Sequence, residues 1–186
     1  MQDAGITPLS VNVNLSPHQL LDADFVDTVR RALADSGLEV QYLELELTES
    51  AAMQNPEQAV AVLRELADLG VKMMLDDFGT GHSSLMRLKH LPVSAIKIDR
   101  SFVTGVTEGG DSRAIVNGMI ALAHALGLSV IGEGVETADQ FRELRSLDCD
   151  MVQGFLFARP LPVEAATMLL KSGLGDEPVT EMREVA

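Results

Sequence analysis

Short β-strand patterns alternate with amphipathic helix patterns along almost the whole chain, and this alternation constrains the fold more than any other feature of the sequence. Such alternation favours βα units and a mainly parallel sheet. The six predicted strands are Leu9–Asn14, Tyr42–Thr48, Lys72–Asp76, Ser94–Lys97, Ser129–Glu133 and Met151–Phe155. A βαβ step takes about 30 residues and a complete eight-unit barrel about 250. The 186 residues therefore predict a six-stranded open sheet or a barrel without its N-terminal part.

Helix signals fill the segments between these strands. Helix-initiating residues, helix-terminating glycines and apolar spacing of three and four residues define them. Five helices are predicted by range: Asp24 to Gly37, Asn55-Pro56 to Gly70, Ser84 to Leu91, Asp111 to Gly127, and Pro162 to about Lys171. Two more are predicted by their first residues, at Ser16-Pro17 and at Thr137 with its capping box. The polar, acidic stretch 173–186 is predicted to be a loose tail.

The charge of the chain excludes one large class of partners. Lys and Arg total 14 against 28 Asp and Glu, which gives a formal charge of −14. A chain this acidic does not bind nucleic acid backbones non-specifically, so neither DNA nor RNA is expected as a partner. The single Cys149 excludes a disulfide framework, and no apolar run reaches the roughly 20 residues of a membrane span. A cytoplasmic location is therefore predicted.

Polar side chains gather where the predicted strands end. The first two strands alternate strictly, with Asn12 and Asn14 on one face of the first and Glu44 and Glu46 on one face of the second. The other strands close with Asp76-Asp77, Lys97 with Asp99, Glu133 and Gln153. A solvated antiparallel face would explain one such strand alone. Six together favour a site, because catalytic residues in parallel barrels and ligands in open α/β sheets lie at the carboxyl ends of the strands.

The chemistry of these residues indicates a hard metal ion. The oxygen-donor side chains are Asn14, Glu46, Asp76, Asp77 and Glu133. Without His or Cys at the strand ends, this set selects Mg²⁺, Mn²⁺ or Ca²⁺ over zinc. Adjacent aspartates suit a carboxylate that bridges two metals in phosphoryl chemistry, and Lys97 can hold a water or a phosphate oxygen.

Several stretches resemble the EAL domain of bacterial cyclic di-GMP phosphodiesterases. They read SVNVNLSPHQL, LELELTES, LDDFGTGHSSL, LPVSAIKIDRSFV, LAHALGLSVIGEGVET and QGFLFARPLP, and they spread from Ser10 to Pro162. The resemblance implies a TIM-like (β/α) barrel of EAL type, incomplete at the N-terminus, with about six parallel strands and flanking helices. Residues 1–172 are then a partial EAL domain and residues 173–186 an acidic C-terminal tail.

The resemblance also implies roles for individual residues. Asn14, Glu46, Asp76 and Asp77 match metal-binding positions, with Asp76 shared between two metals and Asp77 next to the attacking water. Glu49 matches a glutamate that stabilises the loop after the two aspartates.

Three further positions match the catalytic part of the site. Lys97 resembles the lysine that holds the water or the phosphate, and Glu133 and Gln153 match the remaining active-site positions. The implied reaction is hydrolysis of cyclic di-GMP to linear pGpG with Mg²⁺ or Mn²⁺.

One departure from the family pattern qualifies this expectation. The Glu-Ala-Leu motif that names the family is absent. In the family, this motif supplies a metal ligand and precedes an arginine that binds the substrate. The chain is therefore expected to be an N-terminally truncated domain with impaired activity. The alternative is an inactive EAL module that acts as a cyclic di-GMP sensor or interaction domain. A homodimer, sensor or diguanylate cyclase domains, and a membrane-tethered parent protein are further expectations.

Overall fold

Six parallel strands form one sheet in chain order in the computed structural model, which describes residues 9–80 and 88–172. The strands are β1 Val11–Asn14, β2 Leu43–Thr48, β3 Lys72–Phe78, β4 Ala95–Ile98, β5 Ser129–Glu133 and β6 Met151–Gln153. Every neighbouring pair is parallel. The sheet curls into a half-barrel with flanking helices, which confirms the predicted fold class.

Helices follow the strands in the described part of the chain. Their bounds are α1 Pro17–Leu20, α2 Phe25–Ser36, α3 Glu49–Gln54, α4 Pro56–Asp68, α5 Arg100–Thr104, α6 Gly110–Ala125, α7 Ala138–Ser146 and α8 Val163–Ser172. Two 3₁₀ turns, Val40–Tyr42 and Val106–Glu108, complete the connections. The short helices α3 and α5 were not predicted from the sequence.

Local signals explain where the helices begin and end. Ser16 and Thr137 both form complete capping boxes with the glutamine three residues later. Gly37 ends α2 with a φ of 68°, a left-handed conformation that glycine adopts without steric cost. Asp24 precedes α2 as predicted, but its side chain makes no capping hydrogen bond.

The two faces of the sheet carry different cores. Fully buried residues on the outer face, such as Leu47, Leu75 and Ile96, pack against the helices. The inner face has a small separate apolar layer of Met74, Ala95 and Ile131. Side chains alternate along a strand, so the residue two positions after each of these also faces inward. Those residues lie nearer the carboxyl ends of the strands, and they are polar: Asp76, Lys97 and Glu133.

Some predicted boundaries differ from the structure. β1 begins two residues later than predicted, β3 extends to Phe78, and β6 ends at Gln153 rather than Phe155. The first half of the predicted helix from Ser84 to Leu91, residues 84–87, and the predicted tail, residues 173–186, lie outside the described residues. In the second half, Leu88 is helical and residues 89–91 form a turn and a bend. Within the described residues, none of the helices has the length and apolarity needed to cross a membrane.

Gly154, just after β6, packs against the backbone of Val135, just after β5. A Cβ atom on Gly154 would lie 2.1 Å from the carbonyl oxygen of Val135 and 2.3 Å from its nitrogen. We expect Gly154→Ala to lower the free energy of unfolding by at least about 2 kcal/mol, because rigid backbone has to move. Urea denaturation followed by circular dichroism measures this change.

Gly118 is the matched control for this substitution. It lies in the exposed interior of α6, where an added Cβ meets no atom within 4 Å. Gly118→Ala should therefore stabilise the chain by roughly 0.5–1 kcal/mol through helix propensity. Equal effects of the two substitutions would contradict the packing described at Gly154.

Candidate functional site

Lys97 on β4 lies at the centre of the inner polar layer. Its side chain is 3% exposed, and its Nζ atom lies 2.5 Å from Glu133 Oε1, 2.8 Å from Glu46 Oε2 and 3.6 Å from Asp76 Oδ1. These carboxylates come from β5, β2 and β3 respectively. The curl of the sheet thus brings side chains from four strands to one ammonium group.

The charges in this layer depend on each other. Burial alone would lower the pKa of Lys97, but hydrogen bonds to Glu133 and Glu46 outweigh burial and raise it above its usual value. Lys97 therefore stays protonated at neutral pH. Burial raises the pKa of Glu133, helped by the charges of Asp76 and Glu46, while Lys97 opposes the shift.

An irregularity in β3 orients the adjacent aspartates. The pairing of β3 with β4 shifts register between Leu75 and Phe78, and Asp77 has a φ of 55°. In a regular strand, consecutive side chains point to opposite faces. Here the left-handed residue changes the direction of the chain, so that Asp77 and Asp76 both contribute to the same carboxylate cluster.

Asp76, Asp77 and Glu133 form a group that can hold a cation. Each offers one carboxylate oxygen, and the three oxygens lie within 4.8 Å of one another. Burial raises the pKa of Asp77, and the negative charges of Asp76 and Asp99 raise it further. Clustered oxygen donors of this kind fit a hard divalent cation. Because each carboxylate has two oxygens, contact with Lys97 leaves further lone pairs available.

Asn14 and Gln153 lie beside this group by strand register. Asn14 pairs with Glu46 across β1 and β2, and Gln153 pairs with Glu133 across β5 and β6. Both side chains are exposed, and both lie outside the ion pairs of Lys97. Their predicted roles as metal ligand and active-site residue remain predictions.

Glu49 contacts the chain just after the aspartates. It is the first residue of α3, is 2% exposed, and its Oε2 accepts a hydrogen bond from the Gly79 amide at 3.2 Å. Its Oε1 atom is buried without a hydrogen-bond partner among the described residues. Glu49 therefore touches the backbone of the segment that it was predicted to stabilise.

A cleft of about 210 Å³ opens beside Glu133 and Gln153. Arg100, Glu136 and Phe155 also line it, and Arg100 pairs with Glu136 at 2.9 Å. The guanidinium of Arg159 lies 4.7 Å from the centre of the Phe155 ring. No role was predicted from the sequence for Arg100, Phe155 or Arg159, although all three lie within motifs of the family resemblance.

Asn12 is a further residue for which no role was predicted from the sequence. Its Nδ2 atom donates a hydrogen bond to Glu46 Oε1 at 2.8 Å. The signal was present in the sequence, because Asn12 shares a strand face with Asn14.

Removing the ammonium group tests how strongly the carboxylates depend on it. We expect Lys97→Met to lower the free energy of unfolding by about 3–5 kcal/mol at pH 7, because buried carboxylates lose their counter-charge. Lys72→Met, at an exposed lysine 3.9 Å from Glu44, should cost less than about 1 kcal/mol.

The loss in Lys97→Met should shrink at lower pH. The folded chain binds the Glu133 proton more tightly than the unfolded chain does, since its pKa lies above the usual 4.5. The contribution of Glu133 to stability therefore falls as pH rises from 4.5 through the raised value. Because Lys97 opposes the rise of the Glu133 pKa, Lys97→Met should raise that pKa further, so the variant should lose more stability than the unchanged chain between pH 5 and pH 7. Urea titrations of both variants at pH 5 and pH 7 measure the effect, and a pH-independent loss would contradict the proposed charge coupling.

Comparison with known proteins is consistent with this architecture. The family model for the EAL domain matches residues 1–160. The chain is 45% identical over 169 residues to the cyclic di-GMP phosphodiesterase NbdA of Pseudomonas aeruginosa, covering 91% of this chain and 22% of NbdA. It is 44% identical over 162 residues to the bifunctional diguanylate cyclase/cyclic di-GMP phosphodiesterase MucR of the same bacterium, covering 87% of this chain and 24% of MucR.

Solved structures show the same fold. The MucR phosphodiesterase in complex with cyclic di-GMP superposes with a TM-score of 0.81 at 44% identity, over 84% of this chain and 64% of that one. A manganese and cyclic di-GMP complex of Klebsiella pneumoniae BlrP1 gives 0.79 at 32% identity, over 86% and 41% of the two chains. The chain spans less than a quarter of the length of NbdA and MucR. The family match over residues 1–160 and these identities confirm the resemblance seen in the sequence, and the chain belongs to the EAL domain family.

Proposed function

We propose that this chain is a metal-dependent phosphodiesterase domain that hydrolyses cyclic di-GMP to linear pGpG in bacterial second-messenger signalling. The observation that carries the proposal is the cluster of Asp76, Asp77 and Glu133 beside the buried ammonium of Lys97. Relatives named as cyclic di-GMP phosphodiesterases, and a relative solved with that dinucleotide, support the choice of substrate.

The metal proposed for this site is Mg²⁺ or Mn²⁺. Asp76, Asp77 and Glu133 would hold it, and Asn14 and Glu46 are proposed as further ligands from the neighbouring strands. The donors are all oxygen atoms, which fits either ion, and BlrP1 has been solved with manganese. When bound, a pair of such ions activates the attacking water and stabilises the charge on the phosphate.

The protein side chains have separate tasks in this proposal. Lys97 keeps its positive charge in a buried position, where it can orient a phosphate oxygen or the attacking water. Asp77 lies next to Asp76 in the same carboxylate cluster, so we propose that it orients the attacking water beside the metal. In the net reaction, the water oxygen joins phosphorus, one ester P–O bond breaks, and the ribose oxygen leaves with a proton.

The cleft beside Glu133 is proposed to receive part of the dinucleotide. Phe155 is 46% exposed there, so its ring offers an apolar surface on which a base can stack. Gln153 and Arg100 add polar groups at the same opening. The aromatic ring suits the bases of the dinucleotide, and the polar groups suit its phosphates. The arginine supplies a local positive charge in a chain whose net charge is strongly negative.

Hydrolysis of cyclic di-GMP tests the proposal. We expect the chain with Mn²⁺ to produce pGpG, measured by chromatography, at a slow rate because the Glu-Ala-Leu sequence is absent. Asp76→Asn should reduce that rate by at least about 10²-fold, a loss of about 2.7 kcal/mol of transition-state stabilisation. Asp35→Asn, at an exposed position in α2, should leave it unchanged.

Binding without cleavage would favour the alternative role of a cyclic di-GMP sensor or interaction module. Calorimetric titration with cyclic di-GMP in the presence of Mn²⁺ makes that distinction. If the chain neither binds nor cleaves the dinucleotide, the proposed function is wrong.

The wider setting of the chain belongs to the same proposal. MucR is named as both a cyclase and a phosphodiesterase, and this chain corresponds to under a quarter of its length. We therefore expect further sensor or diguanylate cyclase domains in the parent protein. A homodimer as the working assembly and a cytoplasmic location for this domain are also proposed.

A further inference from the structure

Both carboxylate oxygens of Glu46 are hydrogen-bonded, each to a different donor. Lys97 Nζ lies 2.8 Å from Oε2, and Asn12 Nδ2 lies 2.8 Å from Oε1. Glu46 is 9% exposed, whereas Asn12 lies on the exposed strand β1. One donor thus comes from β1, which neighbours β2 in the sheet, and the other from β4, which lies two strands away from β2 on the other side.

Two donors on two oxygens restrict a motion that one donor leaves free. The last torsion angle of a glutamate side chain is broad, so a carboxylate held at one oxygen can still turn. A second hydrogen bond to the other oxygen fixes the plane of the group. Hydrogen bonds to charged groups are stronger than those between neutral groups, so the second contact favours one orientation of the carboxylate.

We propose that Asn12 is a positioning residue for Glu46. Its amide sets the orientation of the Glu46 carboxylate, which in turn sets where the ammonium of Lys97 lies between Glu46 and Glu133. The part of this inference that concerns metal affinity rests on the proposed function. The part that concerns Lys97 depends only on the contacts described above.

The chemistry of asparagine suits this task. Its side-chain nitrogen donates without adding a charge, so it can hold the Glu46 carboxylate in a layer that contains two other carboxylates near Lys97. An aspartate of the same size would place an acceptor and a like charge against Glu46. An apolar residue of the same size would leave Glu46 Oε1 without this donor.

The residue just before β1 offers a matched control. Ser10 Oγ donates a hydrogen bond to Glu44 Oε1 at 3.0 Å, and both pairs are separated by 34 residues in sequence. Ser10 and Glu44 therefore form the same kind of cross-strand contact one step further from the carboxyl ends. Ser10→Ala removes a hydrogen bond between the start of β1 and β2 without touching Glu46.

The experiment compares the full chain with Asn12→Leu, Asn12→His and Ser10→Ala. Leucine has a similar volume but no donor, whereas a histidine ring nitrogen can restore a donor at this exposed position. Two quantities are measured: the affinity for Mn²⁺ by calorimetry, and the ¹⁵N signal of the Lys97 ammonium by nuclear magnetic resonance without metal. The second is accessible because the Lys97 side chain is 3% exposed.

We expect Asn12→Leu to bind Mn²⁺ at least about tenfold more weakly and to shift the Lys97 signal, since partners that orient metal ligands are worth 10–100-fold in affinity. Asn12→His should recover most of both values, and Ser10→Ala should match the unchanged chain. A general loss of sheet stability would instead affect Ser10→Ala and Asn12→Leu alike, which would overturn the inference.

The outcomes separate this inference from the proposed function. If Asn12→Leu matches the unchanged chain in both measurements, Asn12 does not position Glu46. If no variant binds Mn²⁺, the proposed function fails, and the Lys97 signal alone decides the role of Asn12.

Discussion

The site depends on one buried ammonium group. Glu46, Asp76 and Glu133 lie on three different strands, and without Lys97 their negative charges would repel one another in a poorly solvated space. Lys97 in turn could not remain charged while buried without those carboxylates. The charge balance therefore requires that β2, β3, β4 and β5 keep a fixed register, so the fold and the site constrain each other.

Two apolar layers hold that register. The outer core fixes each strand against its helix, while the inner layer of Met74, Ala95 and Ile131 fills the space below the charged residues. Ala95 and Lys97 are two positions apart on β4 and share its inner face. The apolar layer thus sets the height at which the ammonium lies, and the carboxylates of the neighbouring strands meet it at that height.

The sequence predicted the parallel sheet because the strand and helix periods are both strong, and the strand ends located the polar layer. It could not predict which carboxylates contact Lys97, since Glu46 lies 51 residues away and the distance depends on how the sheet curls. The short helices α3 and α5 were not predicted, because five or six residues are too few to show the apolar periodicity of a helix. Their caps, Thr48 and Asp99, were nevertheless visible in the sequence. No role was predicted for Asn12, because the family motif assigns the metal-binding position to Asn14, two residues later.

The left-handed backbone at Asp77 makes the two adjacent aspartates unequal. Asp76 lies in ordinary strand geometry, so the backbone sets no limit on its replacement, and any intolerance at that position reports on side-chain chemistry alone. At Asp77, most side chains would strain the chain before charge is considered, whereas asparagine and glycine accept this conformation. A complete mutational scan would therefore find position 77 intolerant for two superimposed reasons. Only the asparagine and glycine variants would distinguish the lost carboxylate from the strained backbone.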